Sequence, residues 1–357
     1  MSPRRHDQIM AGLTPVAGPS LLVIVIVAIV AGIGDAGLSR IATLGLVNLI
    51  LVVGLYTFVG NSGILSFGQM SFMAVGAYIS GALTIPLTMR NVLLPNLPGP
   101  LGTELLPTVP AIVLGAAVAA VVAFVVAIPL MQLSGLAAGI ASLAVLQITY
   151  VVASNWNDMT GGAASMPGVP RTTDLWSTLV WALAAIALAY LFQISRFGLR
   201  LRAAREDQGA AASIGVNVVW HRVFAFCLSA FIVGAGGGLH IHFLGIGSPE
   251  SFYLGITFMT LAMLVVGGMN SLWGAVLGTL VVTTIGELLL RIELASGVLN
   301  LREVGLALVM LAILILRPRG ITSGLELEWY RVKDWSGWRF VRALPPGSER
   351  IKPGKQR

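Results

Sequence analysis

Between Gly60 and Gly81 the chain reads GNSGILSFGQMSFMAVGAYISG, which sets Asn61, Ser62, Ser66, Gln69 and Ser71 among Gly60, Gly63 and Gly68. Amides and hydroxyls donate and accept hydrogen bonds without becoming charged, and glycine lets a backbone leave a helix or come close to another group. Those residue types suit the binding of a small polar solute by side chains and freed N–H and C=O groups. They do not suit bond breaking. Two structures fit the stretch: an unwound segment that lines a cavity or packs on protein, or a polar loop between two spans.

A second group of residues has a different chemistry. Residues 196–222 read RFGLRLRAAREDQGAAASIGVNVVWHR, an Arg-rich segment enclosed between long apolar runs. Charged side chains beside the small patch GAAAS would let a helix dock closely on a soluble partner, with Gly215 as the left-handed residue that ends it. An ordinary cytoplasmic loop is the plainer reading. The remaining reactive groups are sparse. Cys227 is the single cysteine, in an apolar run, so no intrachain disulfide is possible. His240 and His242 stand two apart and would point to different faces of a helix. Among the carboxylates, Glu287 sits inside a predicted span about one turn before Arg291, which suits an ion pair near the interface or a role on a pathway. The three lysines, Lys333, Lys352 and Lys355, all lie in the basic tail, so none follows a phosphate-binding glycine loop. Energy for active transport would come from a partner or an ion gradient. One membrane carboxylate is thin equipment for a proton-coupled carrier. No cofactor or metal is expected, and no catalytic constellation has a recognisable spacing.

The elements that must position these groups are membrane helices. Hydrophobic residues make up 56 % of the 357, charged residues 10 %, and the mean hydropathy is +0.88, whereas soluble domains carry about 25 % charged residues. Pro15–Gly34 is uncharged and long enough for one crossing, and it reads as a retained span rather than a signal peptide. Further spans are expected at 41–59, 67–89, 109–131, 136–153, 175–194, 223–244, 257–270, 274–291 and 303–316, giving an all-α polytopic bundle of eight to ten spans. The segments at 60–75 and 257–273 are Gly-rich and could be broken or re-entrant. The runs are too continuously apolar for barrel strands. Ten spans place both termini and the 195–222 loop on one side, which then holds 17 of the 22 Lys and Arg. That asymmetry predicts cytoplasmic termini. The organisation expected is a cytoplasmic N-terminus (1–15), a permease domain (16–316) and a basic tail (317–357) whose Trp329, Trp335 and Trp338 suit an anionic lipid surface. The net charge of +7 reflects orientation in the bilayer and does not imply a nucleic-acid partner. The pairs Gly135/Gly139, Gly234/Gly238 and Gly274/Gly278 have the spacing that lets helices meet closely in lipid, and the cluster GAGGG at 234–238 marks a tight crossing.

The 60–81 segment resembles the GxxGxLSxGHxxFxxxGAY signature of the branched-chain amino acid ABC permeases, the LivH/LivM group. TGGAASMPGVP (160–170), the 201–230 region, GGLHIHFLGIGSPESF, MLVVGGMNSLWGAVLG and LRPRGITSG resemble that family's later blocks in order, over about residues 40–325. The TGG loop and the chain length favour the LivM-type half. The resemblance implies a non-enzymatic subunit in the bacterial inner membrane, paired with a LivH-type permease and two ATPases and fed by an extracytoplasmic solute-binding protein. It implies a solute path between the permeases, along Asn61, Ser62, Gly63, Ser66, Gly68 and Gln69, with Asn61, Ser66 and Gln69 turned toward the cavity, and extending to His242, Ser248 and Glu250. The ATPase would be met by Arg202, Arg205, Glu206, Asp207, Ala210, Ala211 and Gly215. Two departures matter. Gln69 stands where the signature has His, which removes a pH-dependent role there, and Gly209 stands where ABC coupling helices carry Glu. The resemblance leaves the solute open among branched-chain amino acids, urea, short amides and other small organic solutes. A stand-alone carrier or channel is the alternative class.

Overall fold

The computed structural model describes residues 3–93, 105–317 and 320–322. The helices are α1 (Pro3–Ile33), α2 (Ala36–Ser62), α3 (Gln69–Thr84), α4 (Leu87–Leu93), α5 (Thr108–Leu130), α6 (Gly135–Asn155), α7 (Asn157–Thr160), α8 (Leu175–Ile194), α9 (Arg196–Glu206), α10 (Gln208–Ser213), α11 (Val218–Leu244), α12 (Leu254–Gly267), α13 (Leu272–Ser296) and α14 (Leu301–Leu316). The strands among the described residues are β1 (Met166–Pro167) and β2 (Ile246–Gly247), an antiparallel pair with Met166 opposite Gly247. Apart from Arg317 and residues 320–322, the basic tail lies outside the described residues, and so do its three tryptophans.

Eight helical segments among the described residues are long and apolar enough to cross a bilayer: α1 from Val16 onward, α2, α5, α6, α8, α11, α13, and Pro249–Gly267, which ends as α12. The predicted all-α polytopic bundle is what the chain forms. Two of the ten expected spans are short. The 67–89 span is reduced to α3, with 16 residues, because Pro86 holds Ile85 in an extended conformation, φ −62° and ψ 132°. The 303–316 span is the 16-residue α14.

The core forms where α11 packs against α2, α3 and α5. Bare backbone makes this possible. A methyl on Gly237 would collide with the carbonyl oxygen of Met73, and one on Gly76 with that of Gly234. The GAGGG cluster is therefore the tight crossing its sequence suggested, and Gly274 and Gly278 serve α13 likewise against α12. Gly135/Gly139 is not such a pair: nothing lies within 4 Å of a Cβ at Gly135, and the nearest atom to one at Gly139 is Leu65 O at 3.5 Å. Around the crossing, Phe226 meets Phe58 and Phe72 edge-on, with ring centroids 5.2 and 5.3 Å apart.

Alternating helix directions bring 60–69, α9–α10 and 266–271 to one end of the bundle, where Ile321 N–H donates to Val266 O at 2.8 Å. The β1–β2 pair and residues 248–253 occupy the far end. There Arg171 Nε donates to Leu244 O at 3.0 Å, and Thr173 Oγ1 donates to Leu239 O at 3.0 Å.

Replacing Gly237 with Leu should abolish accumulation of folded protein or lower its stability by about 2–3 kcal/mol. Gly255→Ala, where a Cβ meets nothing within 4 Å, should stay within about 0.5 kcal/mol of wild type. Thermal unfolding in detergent checks both.

Candidate functional site: a broken helix beside a surface loop

α2 ends at Ser62 because Gly63 adopts φ +71° and gives its N–H to Val59 O at 2.9 Å. Residues 63–68 are irregular, and α3 starts at Gln69. The expected break therefore exists, over a shorter range than 60–75, since Gly60, Asn61 and Ser62 are still helical and α3 is regular from Gln69. Three side chains hold it. Ser142 of α6 accepts the Phe67 N–H at 2.9 Å and donates to Gly139 O at 2.7 Å. Ser62 Oγ accepts the Ile64 N–H at 3.2 Å. Arg205, reaching across from α9, donates from Nη1 to Gly60 O at 2.7 Å.

The polar side chains of this region turn into the interior of the chain itself. Asn61, Ser66 and Gln69 are 0 %, 2 % and 1 % exposed, while Gly63 and Leu65 are the exposed residues of the break. Asn61 Nδ2 donates to Thr57 O at 2.9 Å. Asn61 Oδ1, Ser66 Oγ, both amide atoms of Gln69 and Ser71 Oγ find no partner among the described residues. Leaving such a group unsatisfied costs about 1–3 kcal/mol, so five such atoms within eleven residues of sequence mark a strained polar patch inside the bundle.

The loop beside it is built on two helices. α9 is capped by Ser195, whose Oγ accepts the Gly198 N–H at 3.2 Å, and it buries Leu201 and Ala204. Asp207 caps α10 by accepting the Ala210 N–H at 2.9 Å. Gly215 has φ +85° and its N–H donates to Ala212 O at 3.0 Å, so it closes the helix as its sequence position predicted. Ala211 is buried with Ala204 and Val218. Ala210, Glu206 and Asp207 are exposed, and Arg202 is half-buried. Arg222 Nη2 donates to Gln208 Oε1 at 3.2 Å and ties α10 to α11. Asp207 is thus engaged in capping, whereas the Glu206 side chain is 81 % exposed at 3.8 Å from Arg205.

The other expected path residues lie at the far end. His242 Nδ1 is 2.7 Å from Gly238 O, and Nε2 is 2.9 Å from Thr84 Oγ1. Thr84 is fifteen residues along α3 from Gln69, or about 22 Å. His242 is fully buried and bolts α11 to α3. Ser248 Oγ pairs with Ser251 Oγ at 2.6 Å, and Glu250 is exposed. Glu287 pairs with Arg291 at 3.0 Å, the interfacial ion pair that their spacing allowed. Both line a mainly apolar cavity of about 350 Å³ between α1, α2 and α13. Among the described residues, no three His, Cys, Asp or Glu gather to hold a metal.

Sequence reasoning missed Ser142 and Ile214. Ser142 carries no signal in its own segment, because its role depends on α6 lying beside the break. Ile214, 78 % exposed at the tip of α10, was legible as an isolated apolar residue before Gly215.

A sequence-family model described as branched-chain amino acid transport system / permease component matches residues 37–316. The chain belongs to that family. The permease is similar to the high-affinity branched-chain amino acid transport system permease protein LivM of Salmonella typhimurium, 27 % identical over 320 residues that cover 80 % of this chain and 70 % of that one. LivM of Escherichia coli gives the same identity and coverage. The probable branched-chain amino acid transport permease protein LivH of Methanocaldococcus jannaschii is 33 % identical over 161 residues, 44 % of this chain and 49 % of that one. No solved structure matches the permease.

Ser142→Ala removes the bond that seats Phe67, together with the one to Gly139 O, and should destabilise the permease by about 1–2 kcal/mol, read as a lower unfolding temperature in detergent.

Proposed function

We propose that the permease is the LivM-type half of the membrane unit of a bacterial ABC importer for branched-chain amino acids. It pairs with a LivH-type permease and two ATPases in the plasma membrane, and a solute-binding protein delivers the amino acid at the far end of the bundle. The termini and α9–α10 face the cytoplasm, in keeping with the excess of Arg and Lys in those segments of the sequence.

One observation carries the reading within the family: a helix break rich in buried, unpartnered polar groups lies at the same bundle end as an exposed loop built to dock. Asn61, Ser66, Gln69 and Ser71 are neutral donors and acceptors buried beside the break, groups that would meet a polar solute once the break opens. Exposed Gly63 and Leu65 turn the break toward the second permease. Glu206, Ala210 and Ile214 form the surface offered to an ATPase, where a small residue beside an apolar tip allows close approach.

Reconstitution in liposomes with the second permease, the ATPases and the binding protein tests this directly. ATP-dependent uptake of leucine, isoleucine and valine is expected, and uptake without ATPases would refute it. In that system Ala210→Glu should cut uptake about tenfold or more without unfolding the permease, a loss within ordinary coupling energies. Ala211→Glu should instead disturb the loop itself, because Ala211 is buried. Gln69→Ala should lower uptake by only severalfold, consistent with about 1 kcal/mol for one neutral hydrogen-bonding group. Parallel uptake and ATPase assays separate these outcomes.

A further inference from the structure

We propose that Arg205 is a positioning residue that ties the docking loop to the α2–α3 break, so that displacement of α9–α10 moves the break itself. The proposal rests on the importer reading above.

The tie replaces a backbone bond. Had α2 continued, the Ile64 N–H would have bonded to Gly60 O, the i to i−4 partner of a regular helix. Instead that N–H goes to Ser62 Oγ at 3.2 Å, and the Arg205 guanidinium takes the Gly60 carbonyl at 2.7 Å. The last carbonyls of any helix lack intrahelical partners and carry its negative dipole end. Arg205 supplies α2 with both a donor and a countercharge there.

Its stem is fixed as well. A Cβ at Gly63 would lie 2.7 Å from Arg205 Cγ and 3.0 Å from Cδ, so the side chain lies over the residue whose positive φ makes the break. Gly60 is enclosed on its other side by the Tyr56 ring and by Met269 O. Tyr56 is held in turn by its hydroxyl donating to Gln193 Oε1 at 2.9 Å. At its own end Arg205 is the penultimate residue of α9, two before the Asp207 that caps α10. The contact to Glu206, 3.8 Å with that side chain 81 % exposed, is a surface pair that contributes little. The firm attachment of Arg205 is therefore to the break, at a carbonyl that has lost its helical donor. A pull on α9–α10 withdraws the guanidinium from Gly60 and frees the carbonyl for the helical bond it now lacks.

The test uses the complete complex in nanodiscs and proteoliposomes, comparing wild type with Arg205→Leu, which keeps an apolar stem but no donor, and with Arg205→Lys. Arg200→Ala, an exposed Arg on the same helix, is the control. Hydrogen exchange of amides 60–69 should rise in Arg205→Leu and be intermediate in Arg205→Lys. Solute taken up per ATP hydrolysed should fall about tenfold in Arg205→Leu and less in Arg205→Lys. Unchanged exchange in 60–69, or wild-type uptake per ATP, would overturn the proposal. If the Leu variant does not assemble, the Lys variant decides, and wild-type values for it are fatal. If the wild-type complex imports no branched-chain amino acid, the importer reading falls, while the exchange comparison still judges the tie.

Discussion

Helices in lipid are not pressed together by the hydrophobic effect, since acyl chains are as apolar as leucine side chains, so close packing must supply the order. In this permease such packing joins α11 to α3, where Gly234 and Gly237 present bare backbone to Gly76 and Met73. α3 depends on this contact. It is short and begins in an irregular segment, so neither its length nor a continuous helix before it sets its position. By seating α3, α11 also fixes where the chain must break to reach it from α2.

Polar contacts then divide the bundle. Along α11, Ser229 Oγ donates to Gly54 O at 2.6 Å, and His242 is bonded on both ring nitrogens near the far end. These lie inside the packed core, where a bond is costly to break and has no water to replace it. At the loop end the break is held by single bonds from Ser142 and Arg205, and exposed Gly63 and Leu65 leave it open to the outside. One end is locked and the other is held by contacts that can be exchanged.

The helical class, the positions of the crossings and the GAGGG contact were legible because each depends on local composition or on a fixed spacing. The break between α2 and α3 was legible for the same reason: Gly63 and Gly68 bracket it, and polar residues cannot face acyl chains. The direction of the polar side chains was not. Whether Asn61 or Gln69 meets the interior or an open cavity depends on how α2 and α3 are rotated, which the α11 contact sets from more than 150 residues away. Likewise Gly135/Gly139 has the right spacing but no partner helix against it, since spacing permits a close approach without providing the second surface. Arg205 was assigned to the loop by its neighbours in sequence. Its actual partner, Gly60 O, is 145 residues distant.

The length of α3 has a consequence for the backbone next to it. Its 16 residues span about 24 Å, against about 30 Å for the hydrocarbon core of a bilayer. A crossing built on α3 must therefore draw on the irregular residues 63–68 for part of its depth. Such backbone is tolerated at membrane depth only where protein covers it, and Ile64, Ser66 and Gly68 are buried. The shortness of α3 is thus matched by the cover that its neighbours give to the break.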